Sequence, residues 1–165
     1  YWVAAEAPTR YRRSIYLFRK RSMPDPVLTT FDAPGGETSC ARRIRSNTSL
    51  AALTSLNEPV FYEAAQALAL RVLREAGHSD SERAEYLVYL CTSRPAKPKE
   101  RDELLSLVAS QRERLAEGWL SIQQLTDGIL PLQTDLPPET TPRDLAAWVI
   151  AARVVLNLDA ALCKN

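Results

Sequence analysis

Cysteine and histidine are scarce in this chain of 165 residues, which contains three cysteines and one histidine, His78. Cys40, Cys91 and Cys163 are too few and too widely spaced for a disulfide scaffold. None of them lies in a C-x-x-C or C-x-x-C-H pattern, so a thioredoxin motif and a covalent haem site are excluded here. Because His78 has no second histidine to join it, a histidine-based metal site is disfavoured. We therefore expect no metal and no cofactor in this segment.

Long apolar runs and the common catalytic patterns are also missing. No apolar run approaches the ~20 residues of a membrane span, so the sequence predicts none. The serines lie outside any G-x-S-x-G context, and no pair of carboxylates stands out as an acid and base couple. The chain begins at Tyr1 rather than Met and has no signal peptide, so we expect it to be part of a longer polypeptide. The residues identify no catalytic group and leave open whether the chain is an enzyme.

The charge is nearly balanced overall, with a net +1 at pH 7, which excludes a global attraction to nucleic acid or membrane. It is uneven along the chain, because residues 1–30 carry six Lys and Arg against two acids, whereas residues 61–165 carry twelve against fifteen. We expect the basic N-terminal arm and the acidic body to attract one another. The arm also interleaves aromatic and basic residues from Arg10 to Arg21, which suits single-stranded nucleic acid. It equally suits a ribbon with one solvated face, and the small net charge favours the ribbon and no nucleic-acid partner.

Periodicity divides the chain into an extended part and a helical part. Ser14–Phe18 and Val27–Phe31 alternate like short strands, and residues 32–46 form a polar loop. After this loop, apolar residues recur at helical spacing. The predicted helices are Ser49–Leu56, one from Pro59 to a stop at Gly77, one behind the capping box of Ser79 and Glu82, one from Pro98, and a last one from Thr141-Pro142 to about Leu162.

We therefore predict an all-α fold, a bundle of about four main helices with an N-terminal extended arm or short β-ribbon. Residues 1–47 form the arm and polar loop, packed on the body, and residues 48–165 form the helical bundle. The helix from Pro98 is expected to continue weakly through Gly118 to Leu125. Residues 127–141 are predicted to be a connector, because they contain three prolines and no periodicity.

The last predicted helix carries a carboxylate on its apolar stripe. The stripe through Trp148 and Val155 continues at helical spacing to Asp159. An unpaired buried charge is costly, so Asp159 requires a partner if the stripe buries it. Two alternatives are that fraying exposes Asp159 and that its carboxylate is functional. The candidate partners are the three arginines of the polar loop, Arg42, Arg43 and Arg45.

These arginines suit a second role. Guanidinium forks bind phosphate, sulfate or carboxylate, and the group precedes a helix N-terminus, which favours anions. They equally suit clamps that tie the loop to the core. Asn47 and Asn57 are predicted to be helix caps. The candidate anion site or structural network therefore comprises Asp32, Arg42, Arg43, Arg45, Asn47 and Asp159.

Two of the cysteines remain as candidates for covalent chemistry. Cys40 and Cys91 are candidates for a disulfide if the protein resides in an oxidising compartment. The alternative is a pair of buried free thiols. The sequence leaves both possibilities open, and no neighbouring group marks either cysteine as a nucleophile.

Four segments carry a family resemblance, and they read RYRRSIYLFRKRSMPDPVLTTFDAP, CARRIRSNTSLAALTSLNEPVFYEAAQALALRV, YLCTSRPAKPKERDEL and AAWVIAARVVLNLDAAL. In this order they resemble the planctomycete-type domain of unknown function 1553, across roughly residues 10–165. Residues 120–141 match least, and Ser49 stands where such sequences tend to have proline. That family usually forms the C-terminal part of large secreted or periplasmic bacterial proteins, which often also carry a cytochrome-c-like domain.

The resemblance implies a context and no catalytic residues. It implies one interlocked polar network that joins arm, loop and last helix, and it implies export to the periplasm or beyond. We therefore predict a non-catalytic structural or interaction domain that supports a neighbouring redox or polysaccharide-processing domain, with other domains of the same polypeptide or a partner protein as its partners. The alternative is part of an enzyme active site that binds an anionic or sugar substrate. The residues placed in the network are Arg12, Arg13, Asp32, Cys40, Arg42, Arg43, Asn47, Asn57, Asn157 and Asp159.

Overall fold

A computed structural model describes residues 11–20, 22–42, 46–127, 137 and 139–162. Within these ranges the chain is mainly helical and has no strand, so the predicted all-α class is confirmed. Among the same residues, no helix is both long and apolar enough to cross a membrane. The helices are α1 (Pro26–Thr30), α2 (Ser49–Asn57), α3 (Pro59–Glu75), α4 (Asp80–Thr92), α5 (Pro98–Ala116), α6 (Ile122–Thr126), α7 (Pro142–Leu156) and α8 (Asp159–Leu162).

Local capping chemistry determines where most of the helices begin. The Ser79 hydroxyl oxygen accepts from the Glu82 backbone N–H, and the Glu82 carboxylate accepts from the Ser79 backbone N–H. These two hydrogen bonds form the predicted capping box of α4. Thr141 and Asp144 form an equivalent box at α7. A proline occupies the first position of α3, α5 and α7, where its missing N–H costs nothing. The predicted starts of these helices are confirmed.

Helix α7 is the central element of the fold. It packs against α3, α4, α5 and α6, and Trp148 is the largest of the side chains that are completely buried. A helix that is buried on most of its circumference needs apolar residues on nearly every face. The residues of α7 that are fully buried are Leu145, Ala146, Ala147, Trp148, Val149, Ala151, Ala152 and Val155.

The last predicted helix and the helix that begins at Pro98 are shorter than predicted. Helix α7 ends at Leu156, and a turn at residues 157–158 separates it from α8. Helix α5 ends at Ala116, because Gly118 has a φ of 78° that a continuing helix cannot contain. The chain resumes helical structure only after Ser121, whose side chain caps α6.

The two strands predicted for the arm are wrong. Residues Ser14–Tyr16 form a 3₁₀ turn, and Val27 to Thr30 belong to helix α1. The cause in the second case is local, since the Asp25 side chain accepts from the Leu28 N–H and Pro26 occupies the first helical position. These start signals outweigh the β-propensity of the valine and threonines. The arm residues 11–20 are all exposed.

Candidate functional site

Three consecutive residues before α2 connect the polar loop to three different elements. The backbone N–H and the hydroxyl of Ser46 both donate to Asp32 Oδ2, at 2.8 and 2.7 Å. The Asn47 side-chain amide donates to Asp159 Oδ1 at 2.9 Å. The Thr48 hydroxyl accepts from the Ala51 N–H and caps α2. The segment 46–48 therefore fastens the end of α1, the start of α8 and the start of α2 at one place.

Asp32 has a backbone role as well as a side-chain role. Its φ is 55°, in the left-handed region where glycine, asparagine and aspartate are favoured. The Asp32 N–H donates to the Thr29 carbonyl at 3.2 Å, and the Ala33 N–H donates to the Leu28 carbonyl at 2.9 Å. These two bonds are the Schellman arrangement that ends a helix with one left-handed residue. Asp32 therefore stops α1 and presents its carboxylate to Ser46.

Two further contacts join the end of α2 to the end of α7 and the residue that follows it. The hydroxyl of Ser55, which is nearly buried, lies 2.6 Å from Asn157 Oδ1. Arg153 Nη2 donates to the Leu56 carbonyl at 2.6 Å, and the same guanidinium lies over the Tyr62 ring, 5.2 Å from its centroid. The carbonyl contact satisfies a backbone acceptor that the end of α2 leaves open. The resemblance placed Asn157 in a network, whereas Arg153 was missed although it interrupts an otherwise apolar run.

A second polar cluster joins the starts of α4 and α7 to α5. Arg112 Nε donates to Asp144 Oδ1 at 2.7 Å, and Arg112 Nη2 donates to Asp80 Oδ1 at 3.1 Å. Burial raises the pKa of Asp144, but hydrogen bonds from Thr141 and the charge of Arg112 outweigh it, so the pKa lies below its ordinary value. Both carboxylates lie in the first turn of a helix, where the macrodipole favours them. Sequence reasoning missed this cluster.

Of the alternatives that the sequence left open for Asp159, burial on the apolar stripe of the last helix is not found. Asp159 is exposed, because the turn after Leu156 interrupts the helical spacing that would have carried it to the core. Its contact is the amide of Asn47, so Asn47 serves as a partner for Asp159 while Thr48 caps α2. Asn57 is likewise no N-cap, since it ends α2 and donates to the Leu53 carbonyl.

The arginines of the candidate site are only partly described. Arg42 is exposed in the loop. Arg43 and Arg45 lie outside the described residues, so their predicted pairing with Asp159 stays a prediction. Of the candidate site residues, the structure brings Asn47 together with Asp159, and it joins Asp32 to Ser46, which sequence reasoning had not selected. These contacts are hydrogen bonds between residues of the chain itself.

The two described cysteines, Cys40 and Cys91, are free thiols in the structure, which corresponds to the alternative to the candidate disulfide. Cys40 is exposed in the polar loop, whereas Cys91 is half-buried on α4 against the core. Burial raises the pKa of the Cys91 thiol to about 11, so this thiol is a poor nucleophile. Cys163 lies outside the described residues.

Two features bear on ligands. Among the described residues, no group of three or more histidines, cysteines, aspartates or glutamates is arranged to hold a metal ion. An open pocket of about 300 Å³ lies between α1 and α2 and is called the α1–α2 pocket below. It is lined by Pro26, Val27, Thr30, Leu53, Thr54, Asn57 and Glu58.

The fold and these contacts define a helical domain in which Asn47, just after the polar loop, is hydrogen-bonded to the start of α8, and α2 is hydrogen-bonded to the end of α7. Residues 1–108 match the model of a family described as PSD1, a protein of unknown function (DUF1553), and the chain belongs to this family. The resemblance predicted from the sequence is thereby confirmed. No curated protein and no solved structure gave a significant match.

Proposed function

We propose that this chain is a non-catalytic structural or interaction domain. The observation that carries the proposal is that the candidate polar residues described in the structure form hydrogen bonds with other residues of the same chain. Asp32 accepts two hydrogen bonds from Ser46, and Asn47 donates to Asp159 across the fold. A carboxylate that stabilises its own chain in this way has less capacity to hold a substrate, because each hydrogen bond to a ligand would replace an existing one.

The surroundings of these residues support the same proposal. Asp32 ends α1 in a left-handed conformation, so its position follows from the geometry of the helix end. Asp159 is exposed, and its Oδ1 already accepts a hydrogen bond from the Asn47 side-chain amide, so this carboxylate too is used in a contact within the chain.

We further propose that the domain belongs to an exported multidomain bacterial protein, periplasmic or secreted, and supports a neighbouring redox or polysaccharide-processing domain. The support for this context is the resemblance carried by the four sequence segments. Osmotic-shock fractionation of cells that express the full-length protein tests the location. We expect it in the periplasmic or secreted fraction, and recovery with cytoplasmic markers would refute the export.

Binding of small probes tests the non-catalytic role. Backbone amide NMR spectra are recorded while inorganic phosphate and methyl glucoside are added separately, and the Asn47→Ala variant serves as the matched control. We expect no saturable shift at Asp32, Ser46, Asn47 or Asp159 in either titration. A saturable shift at these amides that disappears in Asn47→Ala would favour the alternative, an enzyme subsite for an anionic or sugar substrate.

A further inference from the structure

The arm between Tyr11 and Lys20 displays apolar side chains that its own protomer leaves uncovered. Ile15 is 80% exposed and Tyr16 is 71% exposed, which makes them two of the most exposed large hydrophobic residues described. Exposed apolar residues are normal when they are scattered, but adjacent ones flanked by polar groups mark interaction surfaces. The cations that flank this pair, all exposed, are Arg12, Arg13, Arg19 and Lys20.

The arm contacts helix α3 on one side of the exposed pair and the polar loop on the other. The Tyr11 hydroxyl contacts the Glu63 carboxylate of α3, and the Arg19 guanidinium contacts the Pro34 carbonyl of the polar loop. A 3₁₀ turn over Ser14–Tyr16 lies between the two contacts. The chain is therefore held in a way that presents Ile15 and Tyr16 to solvent, rather than one that folds them onto the body.

The α1–α2 pocket has the complementary character. Its walls combine apolar atoms of Pro26, Val27 and Leu53 with hydroxyl and amide groups. Glu58 is the single charged residue among those that line it. Leu53 is 56% exposed, and Leu50, nearly one turn earlier on α2, is 60% exposed. An apolar surface that ends at one carboxylate fits an apolar segment that ends in cations.

We propose that the arm segment Ser14–Lys20 docks in the α1–α2 pocket of a second copy of this chain. Ile15 and Tyr16 cover the apolar walls, and Lys20 approaches Glu58. Because each copy has one arm and one pocket, two copies satisfy each other twice in a closed, two-fold arrangement.

Sedimentation velocity over a wide range of protein concentration tests this proposal. We expect a dimer that dissociates on dilution and weakens as NaCl is raised, because the Lys20–Glu58 contact is screened. Replacing both Ile15 and Tyr16 by serine should raise the dimer dissociation constant by about tenfold or more. The matched control is Trp119→Ser, at a side chain that is 73% exposed elsewhere, and it should leave the constant unchanged. A protein that stays monomeric at every concentration overturns the proposal.

A charge exchange tests the orientation of the contact. Lys20→Glu and Glu58→Lys should each weaken the dimer, and a chain that carries both changes should recover most of the affinity. All four residues changed in these tests, Ile15, Tyr16, Lys20 and Glu58, contribute nothing to the buried core, so circular dichroism should show the fold intact. If the double variant dimerises no better than either single variant, the proposed pairing is wrong.

Disulfide trapping distinguishes a second copy from the same copy. In a background of Cys40→Ser and Cys163→Ser, which removes one exposed thiol and the thiol outside the described residues, Tyr16→Cys and Leu53→Cys are made in separate chains and mixed under mild oxidation. We expect a crosslinked dimer that contains one chain of each kind, and no crosslink with Trp119→Cys. A chain that carries both new cysteines and closes only an internal bond while staying monomeric would show docking within one copy and overturn the proposal. This inference goes beyond the proposed function, which the phosphate and glucoside titrations test independently.

Discussion

Asn47 and Asp159 provide the most direct residue-scale test of the fastening, because they lie 112 residues apart in sequence and share one hydrogen bond. We expect Asn47→Ala and Asp159→Ala each to lower the free energy of unfolding by about 0.5–1.5 kcal/mol. In a double-mutant cycle the two changes should be coupled by about 0.5–1 kcal/mol, since both remove the same contact. Urea denaturation at neutral pH supplies the four free energies.

Asn57→Ala is the matched control for this cycle. Asn57 is also an exposed asparagine, but its amide donates only locally, to the Leu53 carbonyl of its own helix. Its replacement should therefore show no coupling with Asp159→Ala. Strictly additive effects of Asn47→Ala and Asp159→Ala would show that the loop does not hold α8.

Asp32 combines a strained backbone with a hydrogen-bonding side chain, and substitutions can separate the two. Asp32→Asn should cost least, because asparagine tolerates the left-handed region and keeps a side-chain oxygen for Ser46. Asp32→Gly removes the oxygens but accepts the φ of 55°. Asp32→Ala removes the side-chain oxygens and also places a Cβ-bearing residue without a compensating polar group in the left-handed region. We therefore expect it to be about 1 kcal/mol less stable than Asp32→Gly. Equal stability of the glycine and alanine variants in urea denaturation would contradict the left-handed assignment.

At the scale of helices, the sequence predicts starts better than stops. Ser79 with Glu82, and Thr141 with Pro142, are local signals that tertiary packing has no reason to override. The stop of α7 at Leu156 had no such signal, because neither glycine nor proline follows it there. The continued apolar spacing therefore made the burial of Asp159 one of the alternatives, and the structure does not show it.

Contacts between distant segments were the least predictable part of the candidate site. Family resemblance grouped Asn47, Asn157 and Asp159, and the structure connects them to α2 and the loop. The contacts of Arg112 with Asp80 and Asp144 could not be predicted from the sequence, because helical periodicity predicts an exposed side chain at all three positions. Only the packing of α4, α5 and α7 around one another brings their side chains within hydrogen-bond distance.

Arg112 is expected to be the most important charge for holding helices together. Its guanidinium is 29% exposed, and it neutralises Asp80 and Asp144 at the starts of two helices. Arg112→Leu would leave both partly buried carboxylates without their shared cation, so we expect a loss of about 1–3 kcal/mol in the free energy of unfolding. The matched control is Arg101→Leu on the same helix, whose partners Glu85 and Asp102 are more exposed. It should cost clearly less than Arg112→Leu, because exposed ion pairs contribute little, and equal losses in the two variants would contradict the bridging role.

Glu100, at the start of α5, should make the free energy of unfolding depend on pH in the acid range. Two hydrogen bonds from Arg94 and one from the Lys97 N–H lower the pKa of Glu100 from 4.5 to about 2. Because the pKa is lower in the folded state, the stabilising contribution is complete above pH 4.5 and is lost as the pH falls toward 2. Glu100→Gln removes this contribution, so its unfolding free energy should approach that of the parent protein across this interval.

Urea denaturation of both proteins at several pH values measures this convergence. Glu103→Gln is the control, because Glu103 is well exposed and its nearest cation, Lys99, lies 3.8 Å away. Its free energies should run parallel to those of the parent protein. If the free energies of unfolding of Glu100→Gln also run parallel to those of the parent protein at all pH values, the Arg94 contact does not lower the pKa of Glu100.

For the molecule as a whole, we expect the smallest chain that folds to include α7. The family match covers residues 1–108 and ends within α5, yet the core continues into α7. The buried side chains Leu145, Trp148, Val149 and Val155 each contribute about 1.5–3 kcal/mol by leaving water. Their sum, about 6–12 kcal/mol, is as large as the net stability of a typical domain. The segment before α7 is therefore expected to be unable to fold by itself.

Truncation tests this dependence. A chain of residues 1–127 lacks α7 and should show residual helical circular dichroism, poor NMR dispersion and no cooperative unfolding, because the inner faces of α3 and α5 lose their partner. Adding a peptide of residues 137–165 should restore dispersed spectra. A chain of residues 22–165 is the control, and it should unfold cooperatively because the arm contributes no buried residue described in the structure. Cooperative unfolding of residues 1–127 alone would mean that the first helices form a complete core, and that α7 is an addition to it rather than its centre.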